Sequence, residues 1–106
     1  MHSTQTLSVA LAVDDNTIRN WVRLGRLGQR EAGRRIFEPT DAFAIGLLAA
    51  LFHAGVPIGF ATIESAKLLA ASPDRPVSVR IRGTDVASVE IDLIAAARDI
   101  NDKLGL

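Results

Sequence analysis

Asp14-Asp15-Asn16-Thr17-Ile18-Arg19-Asn20-Trp21-Val22-Arg23-Leu24-Gly25 is the stretch on which the fold turns. Ile18, Trp21 and Val22 recur at the three- and four-residue spacing that gathers apolar side chains on one helical face. Either aspartate suits the N-cap, because its short carboxylate can accept from the unpaired N–H groups of a first turn. Gly25 is a natural C-terminal stop. Upstream, Leu7, Ala10 and Leu11 share a helical face with Ser3 or Thr4 available as cap, which predicts a short helix to about Ala12. Val13-Asp14-Asp15 reads as a tight turn. Two such helices joined by about three residues make a helix-turn-helix.

Working outward, Gln29 to Phe37 carries a glycine between charged residues and ends in a β-favouring Ile-Phe pair, which predicts a small hairpin with Gly33 at its tip. Thr40 then caps a helix from Asp41 to about Ala54, Gly55 ends it, and Gly59 to Ala71 forms another, with Ile63, Ala66, Lys67 and Ala70 in phase. Pro73 and Pro76 mark a break. Beyond it Val77, Val79 and Ile81 alternate with Ser78, Arg80 and Arg82, and Val89, Ile91 and Leu93 alternate with Ser88, Glu90 and Asp92. These runs predict a second hairpin around Gly83-Thr84-Asp85, its polar face pairing arginine with carboxylate. Leu93, Ala97, Ile100 and Leu104 close the chain on an amphipathic helix of about three turns. The expected fold is mainly α, with a smaller β component, in two parts: residues 1–72 hold the helix-turn-helix, first hairpin and second helix pair, and residues 73–106 the second hairpin and last helix.

The chain has 106 residues, of which 48% are apolar, enough for one domain with its own core. It has no cysteine, which excludes disulfides and thiolate metal sites, and only two histidines, His2 and His53, far apart in sequence. No metal and no cofactor are expected. Nor is catalysis: the sequence shows no nucleophile beside a base, no phosphate-binding glycine loop and no usefully spaced carboxylate pair. The formal net charge is zero, but it is unevenly spread. Arg19, Arg23, Arg26, Arg30, Arg34 and Arg35 face one acid, Glu31, so that segment carries a local +5 (six minus one). A basic segment within a neutral chain is the footprint of a polyanion partner. In a helix-turn-helix the second helix enters the major groove with its early residues at the base edges. Here these are Asp15, Asn16, Thr17, Arg19 and Asn20, with Arg23 one turn on and in reach of phosphate. Asparagine can hold adenine, arginine guanine, and aspartate cytosine.

At these residues the chain resembles the winged-helix proteins of the MerR family and their excisionase-like relatives. Their pattern is Thr, an aliphatic residue and Arg, then two aromatics and a Gly; this chain has Thr17-Ile18-Arg19-Asn20-Trp21 and then Gly25. The family's wing ends in an arginine flanked by aromatics, matched by Arg34-Arg35-Ile36-Phe37; an acid then opens a helix, matched by Thr40-Asp41, and a later glycine introduces the fourth, matched by Gly55-Val56-Pro57-Ile58. The likeness runs from about Leu7 to Leu69. It implies a winged helix-turn-helix in which Arg19, Arg34 and Arg35 contact double-stranded DNA, the wing touching backbone or minor groove; Arg30 of the same hairpin joins them. Asn20 stands where MerR proteins usually carry a tyrosine, and Trp21 is the residue excisionase-like members often have. Asp14-Asp15 is either a cap alone or a cap with Asp15 reading a base, and capping preference favours the first. After the fourth helix the family's long dimerisation helix is replaced by the hairpin and short helix, leaving little chain for a small-molecule pocket.

The helix beginning at Asp41 has almost nothing polar around its circumference, so it is covered on more than one side, either by the C-terminal hairpin and helix or by another subunit. Ile45, Leu48 and Phe52 make a second apolar face. With Leu93, Ala97, Ile100 and Leu104 they are the expected interface of a homodimer, which suits two-fold operators. Ala42 to Ala61 is uncharged over 20 residues, but Gly46, Gly55, Pro57 and Gly59 interrupt it and acids flank it, so no membrane span is expected. The start lacks a basic region followed by an apolar core, which points to the cytoplasm. The function expected is a sequence-specific transcriptional regulator; the alternatives are an excisionase-like or phage-type architectural or packaging factor, and a protein-interaction module of antitoxin or anti-activator type.

Overall fold

The computed structural model describes residues 2–31, 34–72, 78–82 and 88–105. Their order is β1 (His2–Ser3), α1 (Thr4–Leu11), α2 (Asp15–Gly25), β2 (Gln29–Glu31), β3 (Arg34–Phe37), α3 (Pro39–His53), α4 (Phe60–Ala71), β4 (Ser78–Arg82), β5 (Ser88–Asp92) and α5 (Leu93–Leu104). The chain is mainly helical. Strand β3 pairs antiparallel with both β2 and β1, in the order β1-β3-β2, and β4 pairs antiparallel with β5. The expected hairpin tip at Gly33, the proline break at 73 and 76, and the turn at 83–85 lie outside the described residues.

Helix boundaries follow cap chemistry. The Ser3 hydroxyl accepts the Thr6 N–H at 3.2 Å to open α1, and the Asp14 carboxylate accepts the Asn16 N–H at 3.1 Å to open α2. Between them Ala12 takes a left-handed conformation, φ 54°. Ser8 holds this turn at both ends: its carbonyl accepts the Val13 N–H at 3.2 Å and its hydroxyl donates to the Val13 carbonyl at 2.6 Å. Val13 itself is buried, so the turn is pinned to the core as well as hydrogen-bonded.

One boundary differs from the sequence reading. Helix α3 starts at Pro39, with Glu38 as N-cap, instead of after a Thr40 cap. Proline's fixed φ and missing N–H suit the first helical position, where no partner for that N–H exists. Asp41 therefore lies inside the first turn, and its carboxylate accepts the Gly28 N–H at 3.2 Å. That bond ties the start of α3 to the segment leading from α2 into β2. At the end of α2 the left-handed residue is Arg26 (φ 51°), not Gly25. Gly25 serves a different need: a Cβ there would sit 2.5 Å from Ile63 Cγ2, so the bare backbone lets α2 and α4 approach.

Helix α3 is the axis of the core. Ala42 through Ala49 are buried without a break, against α4, α5, α1 and β3. Helix α5 comes close at Gly46, where a Cβ would meet Ile100 Cγ2 at 2.7 Å. This corrects the expected dimer interface. Ile45, Leu48, Leu93, Ile100 and Leu104 are buried within the single chain, and Ala97 packs against the same core. The second apolar side of α3 is covered by the chain's own C-terminal helix, which is why its whole circumference is apolar. Of the residues assigned to a partner, Phe52 remains 44% exposed, and it packs edge-on against Trp21 with ring centroids 5.7 Å apart. Among the described residues no helix is long and apolar enough to cross a membrane.

Candidate nucleic-acid interface

Helix α2 has two distinct faces. Ile18, Trp21 and Val22 are buried to 3% exposure or less, which fixes its rotation about its own axis. That leaves Asn16, Arg19, Asn20 and Arg23 exposed on the opposite side, with Thr17 half-buried beside them. The periodicity that dictates the buried stripe thus also dictates which polar residues can meet a ligand.

Each exposed arginine is braced. Arg19 Nε lies 2.9 Å from Asp15 Oδ2 in an i,i+4 ion pair, and Arg23 Nη2 donates to Asn20 Oδ1 at 2.8 Å. The two aspartates of the turn have separate tasks: Asp14 caps the helix and Asp15 holds Arg19. The other Asp15 oxygen, Oδ1, is buried with no hydrogen-bond partner, so the carboxylate is turned into the protein on one side and onto the guanidinium on the other.

The far end of α2 is held by residues that the sequence reading placed elsewhere. Lys67, read only as in phase with Ile63, Ala66 and Ala70 along α4, donates from Nζ to the Gly25 carbonyl at 2.8 Å. A cation on the last carbonyls of a helix satisfies them and complements the helix dipole. His53 Nε2 lies 3.0 Å from the Leu11 carbonyl, the last of α1. Thus α1 is tied down at its C-terminus by α3, and α2 by α4. No signal in the sequence links residues 42 positions apart, so these bonds were not foreseeable.

Three residues, Arg26, Leu27 and Gly28, separate α2 from β2. Leu27 is 1% exposed and, with the Asp41–Gly28 bond, anchors the start of the β2–β3 pair. In the β2–β3 register Arg30 is opposite Arg35 and Glu31 opposite Arg34. The three expected hairpin arginines are therefore brought to consecutive register positions of one short ladder.

A cleft of about 220 Å³ opens between α3, α4, β4–β5 and α5, floored by Leu47, Leu51, Ala66 and Leu93. The sequence reading expected no such space. Its main polar groups already have partners, Arg80 with Glu90 at 3.2 Å and the Thr62 hydroxyl with the Pro57 carbonyl at 3.4 Å. Among the described residues no group of three His, Asp or Glu converges in the manner of a metal site. No protein-family model matches the chain, and neither the curated proteins nor the solved structures give a match.

Proposed function

We propose that this protein is a sequence-specific DNA-binding transcriptional regulator of the MerR-like winged helix-turn-helix type. In this reading α2 lies in the major groove, and β2–β3 is the wing over neighbouring backbone or minor groove. Asn16, Thr17, Arg19 and Asn20 address base edges, Arg23 a phosphate, and Arg30, Arg34 and Arg35 supply the cations of the wing. The observation that carries the proposal is the rotation of α2: its buried face leaves Arg19, Asn20 and Arg23 outward, directly before a ladder rich in arginine. The protein binds and does not catalyse, and it needs no cofactor. It works in the cytoplasm. Binding as a pair on a two-fold operator would use other surfaces than the faces α3 and α5 bury in each other.

A protein-interaction module of antitoxin or anti-activator type is the second reading, favoured by the exposure of Phe60 (62%) and Leu68 (73%) on α4. An excisionase-like or phage-type architectural factor would share the DNA contacts but not the sequence preference. Fluorescence anisotropy on duplex from the gene's own upstream region, against a scrambled duplex and at two salt concentrations, separates the three. Arg19→Ala and Arg34→Ala are each expected to weaken binding with the fold retained. Unchanged affinity in both would remove the site, and absence of any DNA binding at low salt would favour the interaction module.

A further inference from the structure

The brace on Arg19 has a specific geometry. A guanidinium presents five N–H donors in a planar fork, and Asp15 occupies the Nε side. The terminal Nη1/Nη2 edge has no partner among the described residues, and the side chain is 68% exposed. Two parallel N–H groups on that edge match the O6 and N7 acceptors of guanine in the major groove. Arg23 contrasts with it: Asn20 takes one of its terminal nitrogens, which breaks the two-pronged edge and leaves a cation suited to single-point phosphate contact.

Asp15 is not needed as the cap, because Asp14 supplies that bond. Nor does it favour DNA on its own account, since a carboxylate on a groove-facing helix repels phosphate. We propose that Asp15 is a positioning residue, which holds Arg19 by Nε so that its terminal edge addresses a guanine, and thereby sets the base preference of α2. The inference rests on the DNA-binding reading above. It makes two effects of losing Asp15 opposite in sign: general affinity for DNA rises or holds as a negative charge is removed, while discrimination for guanine falls. An ordinary solvent-exposed ion pair would give the first effect alone.

The test selects bound duplexes from a pool of random 20-base-pair DNA with the full chain, then measures affinity for the selected duplex and its single-base variants. The unmodified chain is expected to enrich a guanine at one fixed position. Asp15→Asn and Arg19→Lys, which keep size or charge but lose the brace or the fork, are expected to lose about tenfold in preference at that position. Asp15→Asn is expected to bind the unselected pool at least as well as the unmodified chain with the same salt slope, and Asp15→Glu to restore part of the preference. The proposal is overturned if Asp15→Asn selects the same guanine with undiminished preference, or if it weakens binding to every duplex equally. Failure of the unmodified chain to enrich any duplex would overturn the sequence-specific reading itself, and is seen before any variant is made.

Discussion

The contact between Gly46 and Ile100 can be tested by exchanging the sizes of the two residues. Ile100 is 2% exposed, and its Cγ2, Cγ1 and Cδ1 atoms lie 2.7, 3.0 and 3.2 Å from where a Gly46 Cβ would stand. Ile100→Ala removes a buried side chain facing bare backbone, and is expected to destabilise the chain by about 3 kcal/mol. At about 4–8 °C per kcal/mol for a domain of this size, the melting temperature falls by roughly 12–24 °C. Gly46→Ala forces Ile100 aside, an overpacking cost of about 1–3 kcal/mol, against a gain of about 1 kcal/mol in helix propensity. It is therefore mildly destabilising. The double variant puts the new methyl into the space the isoleucine leaves, and is expected to be more stable than the sum of the single effects by at least about 1 kcal/mol. Urea denaturation followed by Trp21 fluorescence measures all four corners, with the coupling energy independent of protein concentration because the contact lies within one chain. Additive effects within about 0.5 kcal/mol would show that α5 does not rest on Gly46. A coupling between the two positions that fades on dilution would return this face to a dimer.

Three further outcomes follow from the bonds around α2. Lys67→Met, which keeps the aliphatic stem but loses the bond to the Gly25 carbonyl, is expected to cost about 1–2 kcal/mol in the same denaturation assay; an unchanged midpoint would show that water replaces the bond at no cost. Asp14→Ala removes the cap of α2 and is expected to cost about 1 kcal/mol without altering base preference, whereas a changed preference would mean that Asp14 also reads DNA. Arg34→Ala, on the β2–β3 ladder, is expected to weaken all duplexes alike and lower the salt slope by about 1; loss of preference at a single base would make it a base contact instead.

Legibility in the sequence varied with the range of the interaction that decides each feature. The starts of α1 and α2 were readable because Ser3 and Asp14 act on N–H groups two or three residues away. The match of Arg80 to Glu90 across β4–β5 was readable from strict alternation. Helix α3 starts two residues before the expected Asp41, because Pro39 suits the first helical position and Glu38 takes the cap in place of Thr40. Helix α2 ends at Gly25, as its glycine suggested, but the residue's second role as a point of close approach depends on the position of Ile63, which no local pattern gives. Strand β1 is two residues long and paired to Ile36 and Phe37, too short to carry a pattern. The apolar surround of α3 implied cover on more than one side, and Ala42 through Ala49 are buried. A hydrophobic pattern says that a face is covered but not whether the cover belongs to the same chain, and α5 supplied what was assigned to a second copy. The exposed residues of α2 were legible from the same periodicity that buries Trp21, whereas their bracing by Asp15 and Asn20 depends on rotamers that no spacing specifies.

Amide chemical-shift mapping of the isotope-labelled chain, titrated with the duplex it selects, tests the central claim most directly. The account predicts shifts concentrated on Asn16, Thr17, Arg19, Asn20 and Arg23 of α2 and on the β2–β3 strands, with β4–β5 and α5 unmoved. Shifts centred on α4, β4–β5 or α5, with α2 unmoved, would contradict it.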